Sequence, residues 1–330
     1  MSNTKPLVSV IIPVYNHEKF IRETMQKIIS QTYQNWEMLI VDDCSTDRSW
    51  EIIQECARDN SRIKIFRNEK NKGLITNWKF LIDNSRGEYV AFLEGDDFFY
   101  KDNLKKKVEI FKKYPEVGMV YCNFNVINEN GKSITENHNK FQRIKTYKNE
   151  IIKPSEYLYS KYHLVNSYGQ VMVRRHILDK TGYPRTLDAT EKVFLPSDWD
   201  FNFRISTQNR IYFIDDILFA YRRHSNNCSY DAIRAYKHIS LLLDEYADKF
   251  KNDSEMIDAI QYKRGRYVYS KIIYYLEQCE KLKAWLEFLN YIGKFNRHYM
   301  KDLDLNVKLL IRLFLPNKVN LYIMKKYYHK

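Results

Sequence analysis

Along the first hundred residues, short β-branched runs alternate with stretches of helical spacing. Val8-Ser9-Val10-Ile11-Ile12 reads as a strand stopped by Pro13, and Phe20, Ile21, Met25, Ile28 and Ile29 then recur along one helical face. Glu37 to Val41 predicts a second strand, with a helix from about Asp47 to Arg58 opened by the capping residues Ser45, Thr46 and Asp47. A third strand, Ile63 to Arg67, precedes a helix over Ile75 to Asp83. A fourth, Tyr89 to Leu93, runs directly into Glu94-Gly95-Asp96-Asp97. Repeated strand–helix units build an α/β fold, a mostly parallel sheet with helices on both faces, whose ligands bind beyond the carboxyl ends of the strands.

Farther on, the pattern predicts a helix over Asn103 to Tyr114 and a strand over Gly118 to Asn123. The polar stretch Asn128 to Asn149 reads as an insertion or loop. Order returns with a strand at Gln170 to Val173, a helix after Arg175, the Pro196 to Arg204 segment, and two short strands, Ile211 to Ile214 and Leu218 to Arg222. From about Ile233 the period becomes helical throughout. Ile239, Leu242, Leu243 and Tyr246, then Ile260, Val268, Ile272 and Leu276, then Leu282, Trp285, Leu286, Leu289 and Ile292 predict three amphipathic helices. A boundary near Ser229 divides the chain into residues 1–229, an α/β domain, and 230–330, a helical region suited to contact a membrane or a partner.

A length of 330 residues with 44% hydrophobic content supports one large domain plus a smaller one. Five cysteines without a CxxC pair argue against a disulfide framework and a zinc site. The N-terminus lacks an apolar signal core, and no stretch approaches the roughly 18 to 20 apolar residues of a membrane span, so the expected location is the cytoplasm. The net charge of +13 implies an anionic partner. From Lys301 to Lys330, seven Lys or Arg stand against Asp302 and Asp304, and Pro316 separates two short apolar pieces, Val307 to Leu315 and Val319 to Tyr328. That composition suits either peripheral contact with the inner face of the plasma membrane or a packed tail with a solvated basic face.

The first strand leads into Pro13-Val14-Tyr15-Asn16-His17, and neither GxGxxG nor GxxxxGK[ST] follows any strand, which argues against a dinucleotide-binding dehydrogenase or a P-loop NTPase. Three strand ends offer instead Tyr15, Asp42-Asp43 and Glu94-Gly95-Asp96-Asp97. An aromatic ring can stack on a base, a carboxylate can accept from base or ribose, and a further carboxylate can hold a divalent cation against a diphosphate. Asp42 and Asp43 can also simply cap the next helix, and Asp198 and Asp200 can serve a helix N-terminus.

VSVIIPVYN at 8–16, LIVDDCSTDRS at 39–49, NKG at 71–73, GEYVAFLEGDD at 87–97, SDWDFNFR at 197–204 and YRRHSNNCS at 221–229 together resemble the family two inverting glycosyltransferases of GT-A fold. The resemblance implies transfer of a sugar from a nucleoside diphosphate, often UDP, to an acceptor hydroxyl in surface polysaccharide, lipopolysaccharide or glycan synthesis. It implies Pro13, Tyr15, Asp42 and Asp43 at the nucleotide, Lys72 nearby, and Glu94 at ribose or donor sugar. Asp96 would be the principal ligand of Mn²⁺ or Mg²⁺, with His224 near the metal and diphosphate. Apart from the resemblance, charge developing on a departing diphosphate can be stabilised by that ion together with His224, Arg222 or Arg223. Asp198 matches the catalytic base. Ser197 stands where the family commonly has Glu, which keeps Asp200 open as an alternative, and Glu94 replaces the more frequent Asp. The implied partners are a nucleotide-sugar donor and a saccharide or lipid-linked saccharide acceptor; a homodimer is one option for assembly. Competing readings are a sugar nucleotidyltransferase, separable by pyrophosphate rather than UDP release, and a non-catalytic nucleic-acid- or membrane-binding protein. Carboxylates at strand ends would repel a nucleic-acid backbone and so speak against that reading.

Overall fold

The computed structural model describes residues 5–134, 151–159, 167–186, 196–225, 232–294 and 313–314. It divides into two compact units, Met1–Lys153 with Tyr162–Asn227, and Pro154–Lys161 with Cys228–Lys330.

In the first unit, β1 (Val8–Val14), α1 (Ile21–Ile29), β2 (Trp36–Asp42), α2 (Ser49–Ala57), β3 (Ile63–Arg67), α3 (Leu74–Asn84) and β4 (Tyr89–Phe92) follow in order. β1, β2 and β4 are buried at every position, as parallel strands covered on both faces must be. β5 (Phe98–Phe99), α4 (Asn103–Lys113), β6 (Val117–Ile127), β7 (Ile151–Ile152), β8 (Val171–Arg174), α6 (Arg175–Thr181), α7 (Ser197–Ser206) and β9 (Arg210–Arg222) complete it. The sheet runs β3-β2-β1-β4-β8-β6-β9-β5, with β7 on β9. β3, β2, β1 and β4 are mutually parallel and β6 is parallel to β9, whereas β8, β5 and β7 pair antiparallel. The sheet is therefore mixed in its second half.

Pro13 does not stop β1, which continues to Val14 beside Asp42. The Ile11 carbonyl accepts from Leu93 on the β4 side, so Pro13, two residues on, also faces β4, beyond the last paired residue Phe92. A ladder donor is not needed there, and proline is tolerated. The two strands expected over Ile211 to Arg222 are one, β9, and its partner β6 extends past Asn123 to Ile127. Register shifts between Cys122 and Phe124 absorb the polar Asp215-Asp216 step that interrupts the apolar pattern. Of the polar stretch 128–149, residues 135–149 lie outside the described residues.

The second unit contains α5 (Pro154–Tyr159), α8 (Ala232–Lys249), α9 (Ser254–Glu277) and α10 (Lys281–Lys294). The segment Pro154–Lys161 thus groups with the helices although it precedes β8 in the chain. α5, α8 and α10 each pack on α9, whose first turn is capped by Asp253 accepting from the Met256 amide at 3.0 Å. Ile272, Leu276, Ala284, Phe288 and Leu313 form its core. Leu282, Leu286 and Leu289, which the helical period marks as apolar, are exposed. Apart from Leu313 and Phe314, the basic C-terminal pieces expected at Val307 to Leu315 and Val319 to Tyr328 lie outside the described residues, as does Ser229.

Candidate active site

β1 and β2 end side by side, and a lattice of side-chain to backbone hydrogen bonds ties their loops together. Asn16 turns through φ 58°, a left-handed conformation that Asn tolerates. Its amide donates to Ser45 Oγ at 2.9 Å and its Oδ1 accepts from the Thr46 amide at 2.9 Å. His17 N donates to Ser49 Oγ at 2.8 Å, and Glu18 N to Asp47 Oδ2 at 3.0 Å. This lattice fixes the backbone that carries Tyr15, which is 45% exposed. A well-anchored but open ring is available for stacking.

At the end of β2, Asp42 is wholly buried. Its Oδ2 accepts from the Ser45 amide at 3.1 Å and lies 3.3 Å from Arg67 Nε, while its Oδ1 has no partner among the described residues. Asp43 is saturated instead: Oδ1 accepts from Asn68 Nδ2 and the Lys72 amide, both at 2.8 Å, and Oδ2 from the Gly73 amide at 2.9 Å. Gly73 adopts φ 84°, open chiefly to glycine, and leads into α3. Asp43 therefore shapes the loop, and the exposed Lys72 side chain is held at its tip.

Glu94, Asp96 and Asp97 follow β4. Asp97 Oδ1 accepts from the Arg222 amide at 2.7 Å, and Thr24 of α1 donates to the Gly95 and Asp97 carbonyls at 3.1 and 2.8 Å. A Cβ at Gly95 would lie 2.7 Å from His17 Nδ1 and 3.0 Å from Val14 Cγ2, so the turn needs glycine to pass the β1 loop. Asp96 Oδ2 lies 2.8 Å from His224 Nε2. Burial alone would raise the Asp96 carboxyl, but the adjacent His17 and His224 imidazoles hold it below its usual value. Glu94 and Asp97 are pushed up, first by burial and then by the neighbouring Asp96 charge. Glu94 also accepts from Ser167 Oγ at 3.1 Å.

The three residues at the end of β9, Arg222 to His224, divide in role. Arg222 is buried and fully engaged: Nε donates to the Asp96 carbonyl at 2.8 Å, Nη1 to the Glu129 carbonyl at 2.9 Å, and Nη2 to Glu23 Oε2 at 2.7 Å. Its guanidinium braces the acidic turn from behind, so the expectation that it faces a diphosphate is corrected. Arg223 is exposed, and His224 is buried against Phe20 and Asp96.

On α7 two carboxylates two residues apart have opposite surroundings. Asp200 is wholly buried between Arg185, at 3.0 Å to each of its oxygens, and Arg204 Nε at 2.9 Å. Partly buried Asp198 accepts from the Trp199 amide at 2.7 Å, and no lysine or arginine pairs with it among the described residues. Burial pushes its carboxyl up to about 6 against that hydrogen bond. Its charge is felt at Glu94 and at Tyr168, which links the α7 N-terminus to the acidic turn.

Sequence reasoning did not single out His17, Thr24, Ser167 or Tyr168. Thr24 and Ser167 act through tertiary contacts that leave no motif, but His17 was open to detection. It stands two residues past Tyr15, and β1 is the direct neighbour of β4.

Residues 9–182 match the family model described as glycosyl transferase family 2. TuaG of Bacillus subtilis is 42% identical over 109 residues, 33% of this chain and 43% of TuaG. WfgD of Escherichia coli, a UDP-Glc:alpha-D-GlcNAc-diphosphoundecaprenol beta-1,3-glucosyltransferase, is 34% identical over 124 residues, 38% of this chain and 48% of WfgD. The chain thus spans less than half the length of either relative. S. aureus TarS 1-349, solved in complex with UDP-GlcNAc, superposes with TM-score 0.66 at 18% identity, covering 98% of this chain and 91% of that one, a likeness of fold.

Proposed function

Since the chain belongs to glycosyl transferase family 2, we propose that it transfers a sugar from a UDP-sugar to a hydroxyl of a lipid-linked saccharide, with inversion at the anomeric carbon. The observation that carries this reading is the pairing of Asp96 with His224 at the carboxyl end of β4, together with the partly buried Asp198, whose charge reaches Glu94 and with which no lysine or arginine pairs among the described residues. The UDP preference is supported by the TarS complex and by the WfgD donor, and the lipid-linked acceptor by the WfgD acceptor. A glycan assembled on such a carrier at the cytoplasmic face of the membrane fits a chain in which no described helix is long and apolar enough to cross a bilayer.

The donor set suits a divalent cation. Three carboxylates crowd one turn, and burial first and the Asp96 charge second push Glu94 and Asp97 up, so a bound cation would favour their ionised forms. No group of three or more His, Cys, Asp or Glu is placed to hold a metal ion by itself among the described residues. Asp96 and His224 would therefore hold Mg²⁺ or Mn²⁺ together with diphosphate oxygens and water, the usual arrangement for nucleotide-bound ions. When bound, that ion would offset the charge developing on the departing UDP.

The chain's own residues supply the rest. Tyr15 stacks on the base, and Asp42 Oδ1, without a partner among the described residues, accepts a base N–H. Asp43 holds the Lys72 loop in register, which lets the lysine meet the diphosphate. Glu94, poised by Ser167, faces ribose or donor sugar. Asp198 takes the proton from the acceptor hydroxyl as it attacks, and its elevated carboxyl lies nearer working pH than an ordinary aspartate. Asp200, neutralised by two arginines, fixes α7 so that Asp198 stays oriented. One base suffices for inversion, because a single displacement forms no glycosyl-enzyme and the nucleoside diphosphate leaves without a proton donor.

The test is a panel of nucleotide sugars assayed for binding and slow hydrolysis with and without Mn²⁺. Mn²⁺-stimulated release of UDP from one sugar donor is expected. Release of pyrophosphate, or binding of no nucleotide sugar, would overturn the reading.

A further inference from the structure

Tyr168 occupies an aromatic cage that would hold a phenylalanine equally well. Its ring lies 5.2 Å from Trp78 of α3, 5.6 Å from Phe92 of β4 and 5.8 Å from Phe201 of α7, and the residue is 2% exposed. The segment that carries it is held on both sides. It is a single helical turn, Tyr168–Gln170, capped by Ser167, whose Oγ accepts from the Gly169 amide at 3.1 Å and donates to Glu94 Oε2 at 3.1 Å. A Cβ at Gly169 would lie 2.2 Å from the Phe219 ring, so the turn is pressed against β9.

Such a cage satisfies the ring and leaves the hydroxyl wanting a partner. Ser197 stands close enough to favour the ionised phenol, yet no hydrogen bond of normal geometry satisfies Tyr168 Oη among the described residues. A buried hydroxyl in that condition is costly, and a phenylalanine would avoid the cost. The surroundings point to what the hydroxyl serves. Asp198 and Phe201, at i and i+3, share a face of α7, so the face whose ring meets Tyr168 also carries Asp198. Burial first, and then the Asp198 charge, hold the phenol well above its usual value, which keeps it a donor. The other charged groups that act on it are already engaged: Asp200 by Arg185 and Arg204, and Glu94 by Ser167.

Resting on the reading that Asp198 is the base, we infer that Tyr168 is its positioning residue, its phenol donating a hydrogen bond to the ionised Asp198 carboxylate. The Trp199 amide holds Asp198 Oδ1 at 2.7 Å, and the phenol steadies the same carboxylate as it meets the acceptor hydroxyl. Bonds of this kind are often long in an unliganded enzyme and tighten during the reaction.

Tyr168→Phe removes one oxygen and keeps the cage, so its Tm should equal or exceed that of the parent. Mn²⁺-stimulated hydrolysis of UDP-Glc or UDP-GlcNAc, whichever the parent turns over, should slow about 10-fold with the donor KM unchanged, the scale of one lost hydrogen bond to a charged group. A hydrogen bond to the ionised form lowers a carboxyl's pKa, so its loss should move the acid limb of the pH–rate profile up by about one unit from the parent's. The same displacement should appear without substrate, in the carbon-13 NMR titration of the Asp198 carboxyl in aspartate-labelled protein, a signal identified by its absence from Asp198→Asn. An unmoved Asp198 titration overturns the proposal whatever the turnover. So does a Tm lowered by several degrees, which would make the hydroxyl a structural anchor. If the parent hydrolyses no UDP-sugar, the function reading falls, and the carbon-13 titration still decides whether Tyr168 acts on Asp198.

Discussion

The loop after β2 and the turn after β4 both offer adjacent acidic residues beside β1, yet their electrostatic conditions are opposite. Asp43 receives three hydrogen bonds, two from backbone amides, and so is part of the architecture of the α3 approach. Glu94, Asp96 and Asp97 are crowded together in a buried turn, where Ser167, His224 and one amide meet only part of their charge. A carboxylate surrounded by donors holds structure, whereas carboxyls raised by burial and by a neighbouring charge are left with capacity for a cation. The same contrast recurs within one helical turn of α7, between Asp200 with its two arginines and Asp198 with none among the described residues.

The sharpest way to break this contrast is the α7 pair. Asp198→Asn should cost on the order of 10³-fold in turnover while leaving donor binding intact, the scale of a lost general base. Asp200→Asn should instead unfold the protein more readily by about 3 kcal/mol, because two partly or wholly buried arginines lose their counter-charge. Thermal melts and single-turnover assays on both variants decide it. A stable Asp200→Asn protein with turnover as low as that of Asp198→Asn would reverse the assignment.

Asp96→Asn comes next, with an expected loss of about 3 kcal/mol in turnover, on the order of 10²-fold, and of Mn²⁺-dependent UDP binding measured by calorimetry. Asp43→Asn should show the smallest effect on chemistry. It should lower stability by about 1 to 3 kcal/mol and raise the donor KM, with Mn²⁺ affinity unchanged, since it loosens the Lys72 loop and not the acidic turn. Equal effects of the two variants on Mn²⁺ affinity would erase the distinction between the two strand ends.

Asp198 also sets a pH window. Its folded value of about 6 lies above the ordinary 3.8, so between the two the folded chain binds a proton that the unfolded chain has released. Its contribution to stability is therefore fully present below about 4 and is lost as pH rises through about 6. Turnover should move the other way, because only the ionised form accepts the acceptor proton. A pH–rate profile with its acid limb near 6, absent from donor binding, is the expected result, and an acid limb near 4 would argue for a different base.

The strand–helix alternation of the first hundred residues was legible in the sequence because β1, β2 and β4 are buried at every position and read as largely apolar, β-branched runs, while the edge strand β3 keeps enough of that pattern in Ile63, Ile65 and Phe66. β7 and β5 were not, since two-residue strands carry no period, and β9 was split on paper because Asp215-Asp216 sits opposite a bulge. The acidic turn and its proximity to Tyr15 and Asp42 followed from neighbouring parallel strands ending at one edge. Arg222 was misjudged for a reason no spacing could reveal: its guanidinium is consumed by carbonyls of two loops and by Glu23. On α10 the helical period was right, but a period marks a face without saying whether anything covers it.

The sequence by itself determined the order of elements, the edge at which the chemistry gathers and the residue types present there, because apolar periodicity and strand-end position are local properties of the chain. Tertiary structure alone decided which carboxylates are neutralised and which stay available, separating Asp198 from Asp200 and Asp43 from Asp96. The reason is that a carboxylate's availability depends on donors supplied from distant parts of the chain, Arg185, Ser167 and His224 among them, whose approach no local pattern encodes.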